Sequence, residues 1–223
     1  MRIRWFGQAC MVLNTADGIT VVCDPYDDSY GYVMPADKAD IITVSHDHTD
    51  HNASWRIQGE PTVIKGAGKY SEYGISMTGV STWHDNEGGR SRGSNTVFNI
   101  RIDNINFVHM GDIGHVLEKH QAEMLRPCDI LAVPVGGVFT VDWEGAARIV
   151  EQLDPRIVIP IHYHTPSSRL RIDTHEKFTG RFLETRSMEL WDGNRSDIPE
   201  NITVCLLQPC GEVKETFEKK SIV

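Results

Sequence analysis

The stretch His46-Asp47-His48-Thr49-Asp50-His51 constrains this chain more than any other. Three imidazoles and two carboxylates fall within six positions, directly after the apolar, β-branched run Ile41-Ile42-Thr43-Val44. A buried strand over residues 41–45 is the expected carrier. The cluster then belongs at its C-terminal end, where the backbone turns into a loop or helix start. Imidazole and carboxylate together suit Zn, Mn or Fe, and zinc held by His and Asp is usually catalytic rather than structural. His46 and His48 are two apart, so an extended or tightly turned backbone aims both the same way. Asp50 and His51 lie past the bend and reach a second point, so one segment can serve two neighbouring ions. The alternative is a polar surface turn that happens to carry histidine. The density of ligand types after a buried strand argues against it.

At 223 residues the chain is expected to form one domain, 1–223, long enough to bury a sizeable core. A hydrophobic content of 40% and a charged content of 24% are ordinary for a globular protein. No apolar run approaches the ~20 residues needed to span a bilayer. The opening Met1-Arg2-Ile3-Arg4-Trp5 enters a strand-like pattern without a signal-peptide apolar region, so a cytoplasmic location is expected. A net charge of -9 disfavours nucleic acid and anionic membrane surfaces as partners, while leaving room for a local cationic site. The five cysteines are odd in number and include no CxxC pair, so they read as reduced, mostly buried thiols.

Along the chain, Asp17-Gly18 lies between two apolar runs and predicts a hairpin with a type I′ turn. Asp24-Pro25 ends the second strand. Residues 26–37 form a tyrosine-rich, acidic loop, either a pocket wall or a solvated loop with aromatic anchors; it is also a candidate contact in a homo-oligomer. Residues 61–64 predict a short strand, 69–74 a short helix with a glycine stop, and 76–83 a strand that ends in His84. A loop over 86–95 carries two arginines. Residues 96–102 and 105–110 predict paired strands around Asp103-Asn104. A helix is expected over 115–126, with Leu117, Gln121 and Met124 on one side. A second helix is capped by Asp142, with Ala146, Ile149, Val150 and Leu153 on one face. Buried strands over 130–135 and 157–161, a polar loop over 163–176 and a strand over 203–207 complete the pattern before a charged tail. Two sheets covered by helices would accommodate this order.

Four strands end near a potential ligand: Val44 before His46, Thr82 before His84, Val108 before Asp112, and Ile159 before His162. Periodicity does not show that these ends meet. If they do, His46, His48 and His84 make one open metal site, and Asp50, His51 and His162 a second, with Asp112 bridging both.

The order of Asp24 at a strand end, HxHxDH at 46–51, then His84, Asp112 and His162, resembles the metallo-β-lactamase-fold hydrolase superfamily. The resemblance implies an α/β fold, a four-layer αββα sandwich with the metal site between the sheet edges. It also implies that Asp24 orients a ligand from behind. Trp5-Phe6-Gly7-Gln8-Ala9-Cys10, Asp24-Pro25, Gly111-Asp112, Val133-Pro134-Val135-Gly136-Gly137 and Ile159-Pro160-Ile161-His162-Tyr163 resemble one branch. That branch holds ascorbate-6-phosphate lactonase-like proteins, phospholipase D-like hydrolases of N-acyl phosphatidylethanolamine, and small hydrolases of unassigned substrate. The chain departs from these in lacking a long lid domain and an added membrane-binding segment.

The expected chemistry is metal-assisted hydrolysis of a small lactone, ester or phosphodiester, either anionic or neutral, with two divalent ions, Zn first and Mn or Fe next. They would lower the pKa of a bridging water toward ~7, giving a metal-bridging hydroxide that Asp50 orients. His164 is either a donor to the leaving group or a surface loop histidine. Arg90 and Arg92 follow His84, and Arg169 and Arg171 follow His162; each pair is either an anion-binding element or a solvated loop. His109, His115, His120 and His175 have no motif behind them and are expected to be structural. Two other classes stand beside this reading: a metal- or ligand-binding sensor without turnover, and a nuclease of the same fold.

Overall fold

The structure is a computed structural model and describes residues 1–34 and 38–210. The end of the tyrosine-rich loop, residues 35–37, and the charged tail beyond Cys210 lie outside the described residues. Along the chain run β1 (Arg2–Trp5), β2 (Met11–Asn14), β3 (Thr20–Cys23), β4 (Ile41–Val44), β5 (Thr62–Lys65), β6 (Gly68–Glu72), β7 (Ile75–Trp83), β8 (Ser94–Ile102) and β9 (Ile105–His109). Then follow α1 (Lys119–Leu125), β10 (Ile130–Pro134), α2 (Trp143–Leu153), β11 (Ile157–Ile161), α3 (Glu176–Thr179), β12 (Thr185–Met188), β13 (Trp191–Asp192) and β14 (Thr203–Leu207).

The strands form a six-stranded sheet, β13-β1-β2-β3-β4-β5, and an eight-stranded sheet, β12-β14-β11-β10-β9-β8-β7-β6. In the first, β3, β4 and β5 are parallel neighbours, so β3 and β4 end side by side. In the second, β9, β10 and β11 are parallel and end together on one edge. β10 and β11 read as continuous apolar runs because both are buried throughout, as parallel strands covered on both faces must be.

Period-two alternation sorts the six-stranded sheet. Met11, Leu13, Val21, Cys23 and Ile41 join a core that also contains residues of the other sheet. Val12, Val22, Ile42 and Val44 point the other way, into a cluster with Phe6, Tyr26, Tyr32, Met34 and Ile57. Four layers are therefore present, yet the layer outside the six-stranded sheet is built from loop and 3-10 turns rather than α-helix, among the described residues. α2 covers β10, its N-terminus capped by the Asp142 carboxylate, which accepts from Gly145 N at 2.9 Å. Its buried face is Ala146, Ile149, Val150 and Leu153 with Ala147, as the spacing predicts.

Three local expectations are corrected. Residues 69–74 are not helical: β6 pairs antiparallel with the long β7 through the turn at Tyr73-Gly74, where φ is 50° and 77°. A six-residue polar segment has too few helical bonds to stand alone, and nine residues of β7 offer a template. The turn at Asp17-Gly18 is not type I′, because only Gly18 has positive φ, 96°. Gly18 N instead donates to Thr15 O and Thr15 N to Ile19 O, the pattern of a type I turn followed by a glycine bulge. Asp103-Asn104 takes the type I′ form, with φ of 49° and 62°. Finally, α1 begins at Lys119, not His115. Glu118 and Gln121 form a capping box there, Gln121 is buried, and Met124 faces solvent.

Candidate metal centre

The centre starts from the two parallel strand ends of β3 and β4. Asp24 follows β3 with φ 49°, a conformation its short polar side chain tolerates, and is fully buried. Its carboxylate accepts from Ser45 N (2.7 Å) and Ser45 Oγ (2.6 Å), and lies 2.8 Å from His51 Nδ1. Burial alone would raise the Asp24 pKa, but the His51 imidazole outweighs it, and the carboxyl sits below its usual range.

This arrangement decides two tautomers. Ser45 Oγ has a single proton, and it goes to Asp24. The 2.9 Å contact between Ser45 Oγ and His46 Nδ1 therefore has His46 donating, which leaves His46 Nε2 with its lone pair. In the same way His51 donates Nδ1–H to Asp24, and its Nε2 faces inward.

Two groups of ligand atoms result. One atom each from His46, His48 and His84 lie within 4.8 Å of one another, and likewise one each from Asp50, His51, Asp112 and His162. His46 Nε2 is 3.0 Å from His48 Nδ1. Asp112 Oδ2 is approached by three imidazoles: His51 Nε2 at 3.2 Å, His84 Nε2 at 3.4 Å and His162 Nε2 at 3.4 Å. Asp50 Oδ2 lies 3.4 Å from His51 Nε2. Donors each about 2.1 Å from a tetrahedral ion stand about 3.4 Å apart, so these spacings fit ligands around a cation better than hydrogen bonds. His51 Nε2, His162 Nε2 and Asp112 Oδ1 are buried with no hydrogen-bond partner, a cost that a cation would relieve. The donor set, imidazole plus carboxylate, suits Zn, Mn or Fe.

The electrostatics agree. Burial pushes His46 down to about 3, aided by the charge of His51, so His46 is neutral at pH 7, the form a metal ligand needs. Asp50 resists burial because His51 is beside it, and its carboxyl is held at about 2. Burial would also lower His51, but Asp112, Asp50 and Asp24 around it raise its pKa well above the usual value. The pocket strongly favours positive charge.

Residues outside the ligand set hold it in place. Asn95, at the start of β8, accepts from Asp112 N (3.0 Å) and donates to Met110 O (3.0 Å) and Thr82 Oγ1 (2.8 Å), fixing the turn that presents Asp112. A Cβ on Gly111 would stand 2.5 Å from Ser45 Cβ, and one on Gly114 would stand 2.4 Å from His84 C, so neither turn has room for a side chain. Gln8, buried with φ 49°, offers its carbonyl to His162 N at 2.9 Å and its amide to Asp50 Oδ2 at 3.5 Å. His109 donates Nε2–H to Ala9 O at 2.7 Å, and its Nδ1 lies 3.9 Å from Asp24. Ser45, Gln8 and Asn95 carry no sequence signal of these roles, since each acts through a contact made only in the folded chain.

A cleft of about 440 Å³ opens over the clusters, lined by Tyr30, His48, Asp50, His84, Arg92, Asp112, Phe139, His162 and Leu170 among others. Several expected substrate residues lie elsewhere. His164 is exposed, its Nδ1 3.3 Å from Leu170 O, and it lines a different cavity with Tyr163, His175 and Pro209. Its backbone N–H donates to Asp173 O. Arg90 is exposed and donates to Glu87 O at 3.1 Å. Arg169 braces the tyrosine loop, donating to Ser29 O at 3.1 Å, and Arg171 is exposed beyond Leu170. The arginine at the cleft is Arg92. The tyrosine loop is less exposed than expected: Tyr26 and Tyr32 are buried, Tyr26 donating to Phe6 O, while Tyr30 reaches the cleft.

Two mixed sheets with few helices, and His/Asp clusters gathered where strands of both sheets end, define the metallo-β-lactamase class of proteins. The beta-lactamase superfamily domain matches residues 2–162, and the chain belongs to that superfamily. A Thermotoga maritima protein described as a candidate Zn-dependent hydrolase of the metallo-beta-lactamase superfamily superposes with a TM-score of 0.78 at 31% identity, over 92% of this chain and 97% of that one. A UPF0173 metal-dependent hydrolase of Methanoculleus marisnigri is 27% identical over 222 residues, 89% of this chain and 97% of the relative. Another, from Thermoplasma acidophilum, is 29% identical over 191 residues, 74% of this chain and 84% of the relative. No helix among the described residues is long and apolar enough to cross a membrane.

Proposed function

We propose that the chain is a metal-dependent hydrolase holding two divalent ions side by side, one at His46, His48 and His84, the other at Asp50, His51 and His162, with Asp112 between them. The observation that carries this reading is the approach of three imidazoles to one oxygen: His84 of the first cluster and His51 and His162 of the second all lie 3.2–3.4 Å from Asp112 Oδ2. The names of the relatives support hydrolysis as the reaction class. When bound, the ions would supply an activated water near neutral pH and polarise the oxygen of the scissile bond.

The chain's own residues do the rest. Asp50 is ionised, and the carboxylate oxygen that the ion leaves free could accept a hydrogen bond from that water and orient it. Tyr30, Phe139 and Leu170 contribute apolar surface to the cleft. No serine or cysteine nucleophile is required. Four of the five cysteines are buried, and burial pushes the Cys23 thiol up to about 12. The substrate class that fits is a small lactone, ester or phosphodiester, with Zn as the first metal and Mn or Fe as alternatives.

The test is elemental analysis alongside a panel of those three bond types. Two ions per chain are expected, with one retained in His48→Ala and turnover lost in Asp50→Ala. A single ion in the wild type, or unchanged metal content and turnover in Asp50→Ala, would sink the reading.

A further inference from the structure

We infer that the substrate carries an anionic group, a carboxylate or a phosphoryl oxyanion, held by Arg92, and an apolar group seated against Tyr30 and Leu170. This deepens the proposed function and rests on it only in taking the cleft over the clusters as the substrate site.

The argument begins at Asp85, the residue after the ligand His84. Its carboxylate accepts four backbone N–H groups at 2.8 Å, from Glu87, Gly89, Ser91 and Arg92. The loop is wrapped around this one carboxylate, so the backbone of Arg92 is set by the residue that neighbours a ligand. The Arg92 side chain is set as well. Its guanidinium lies 4.8 Å from the centre of the Phe139 ring and donates to Val138 O at 3.1 Å. That uses one of five N–H donors. Among the described residues no carboxylate forms an ion pair with it, whereas Arg90, two positions earlier, is exposed beside Glu87. A half-buried, pre-positioned guanidinium with free donors is built for a planar oxyanion.

Its position relative to the clusters gives the substrate its polarity. Arg92 lines the cleft over the clusters and also an adjoining lobe of about 410 Å³ that contains Lys65, Ser94 and Thr96. His48 and Asp47 border both. The lobe beyond Arg92 has a mixed polar and apolar lining and carries two cationic side chains, one of them, Lys65, already paired with Asp47 at 2.9 Å. Phe139 lies under the Arg92 guanidinium, so the apolar lining away from Arg92 is Tyr30 and Leu170, from the loops before β4 and after β11. An anionic end on the Arg92 side and an apolar end on the other place the intervening bond over the ligands. In a protein of net charge -9, a local cationic lobe is also where field lines for an anion converge.

The test is calorimetric binding to the full chain at measured metal content, with phenylacetate, phenylphosphonate and the neutral phenylacetamide as probes. Wild type should bind one of the anions at least about tenfold tighter than the amide, as expected of a charge-assisted bidentate contact; which anion wins separates carboxylate from phosphoryl recognition. Arg92→Gln should bring that preference within about twofold at unchanged metal content, Arg92→Lys should restore part of it, and Arg90→Gln, with the same change in net charge, should keep all of it. The inference is overturned if wild type shows no preference, if the preference survives Arg92→Gln, or if Arg90→Gln abolishes it equally. Preference without hydrolysis of any ester, lactone or phosphodiester would instead count against the proposed function alone.

Discussion

At the scale of single residues, Asp24 does what the ligands themselves cannot. It satisfies Ser45 N, Ser45 Oγ and His51 Nδ1 with two oxygens, and through Ser45 it also decides which nitrogen of His46 faces the cluster. Asp24→Asn replaces one of those oxygens by a donor, opposing the hydrogens already there. Metal affinity should fall about 10- to 100-fold, the usual cost of losing a partner behind a ligand, and competition with a chromogenic chelator would read it. An unchanged affinity would mean that the His46 and His51 tautomers are set elsewhere. The candidate ligands were visible in the sequence because imidazole and carboxylate are rare neighbours, and six positions held five of them. Ser45, Gln8 and Asn95 were not visible. Serine, glutamine and asparagine are common, and what distinguishes these three is a contact across 21, 42 or 17 positions of chain. Arg90 and Arg92 are chemically identical in the sequence; only the loop around Asp85 shows which one turns inward.

At the scale of elements, strand ends were legible and short polar segments were not. β4, β10 and β11 are buried on every residue, so composition alone marks them. β6 alternates between half-buried and exposed positions and owes its form to pairing with β7, a partner the local sequence does not name. The loop after His84 depends on one carboxylate. Burial would raise the Asp85 pKa, but the backbone N–H groups of Arg92, Glu87, Ser91 and Gly89 outweigh it and hold the group at about 2. Its folded value lies below the unfolded one of about 3.9, so its contribution to loop order is complete above that value and lost as pH falls toward 2. Asp85→Asn should act as such an acidification does at any pH, since the amide nitrogen cannot accept from two of the four donors. Hydrogen exchange at Glu87, Gly89, Ser91 and Arg92 should speed up at pH 7 in the variant, together with loss of the anion preference assigned to Arg92. Protection equal to wild type at all four amides would show that the loop is held by something other than Asp85.

At the scale of the molecule, the clusters join the two sheets. His46, His48, Asp50 and His51 follow β4 of the six-stranded sheet, while His84, Asp112 and His162 follow β7, β9 and β11 of the eight-stranded one. A cation held among them would therefore tie the sheets together, and its binding should stabilise the fold by about 2.7 kcal/mol at a free concentration a hundred times its Kd. Protons compete for the same place. His51 has its pKa raised by Asp112, Asp50 and Asp24 despite burial. Its proton stabilises the chelated protein fully below the unfolded value of about 6.5, and that contribution is lost as pH rises through the folded value. Metal binding must displace this proton, so affinity rises over the same range. The two effects act in one direction. The difference in Tm between metal-loaded and chelated protein should widen from pH 6.5 upward, and thermal scans in matched buffers across that range would measure it. A difference that stays constant or narrows would mean that His51 carries no proton for the metal to displace, and that the positive charge this pocket favours is supplied in some other way.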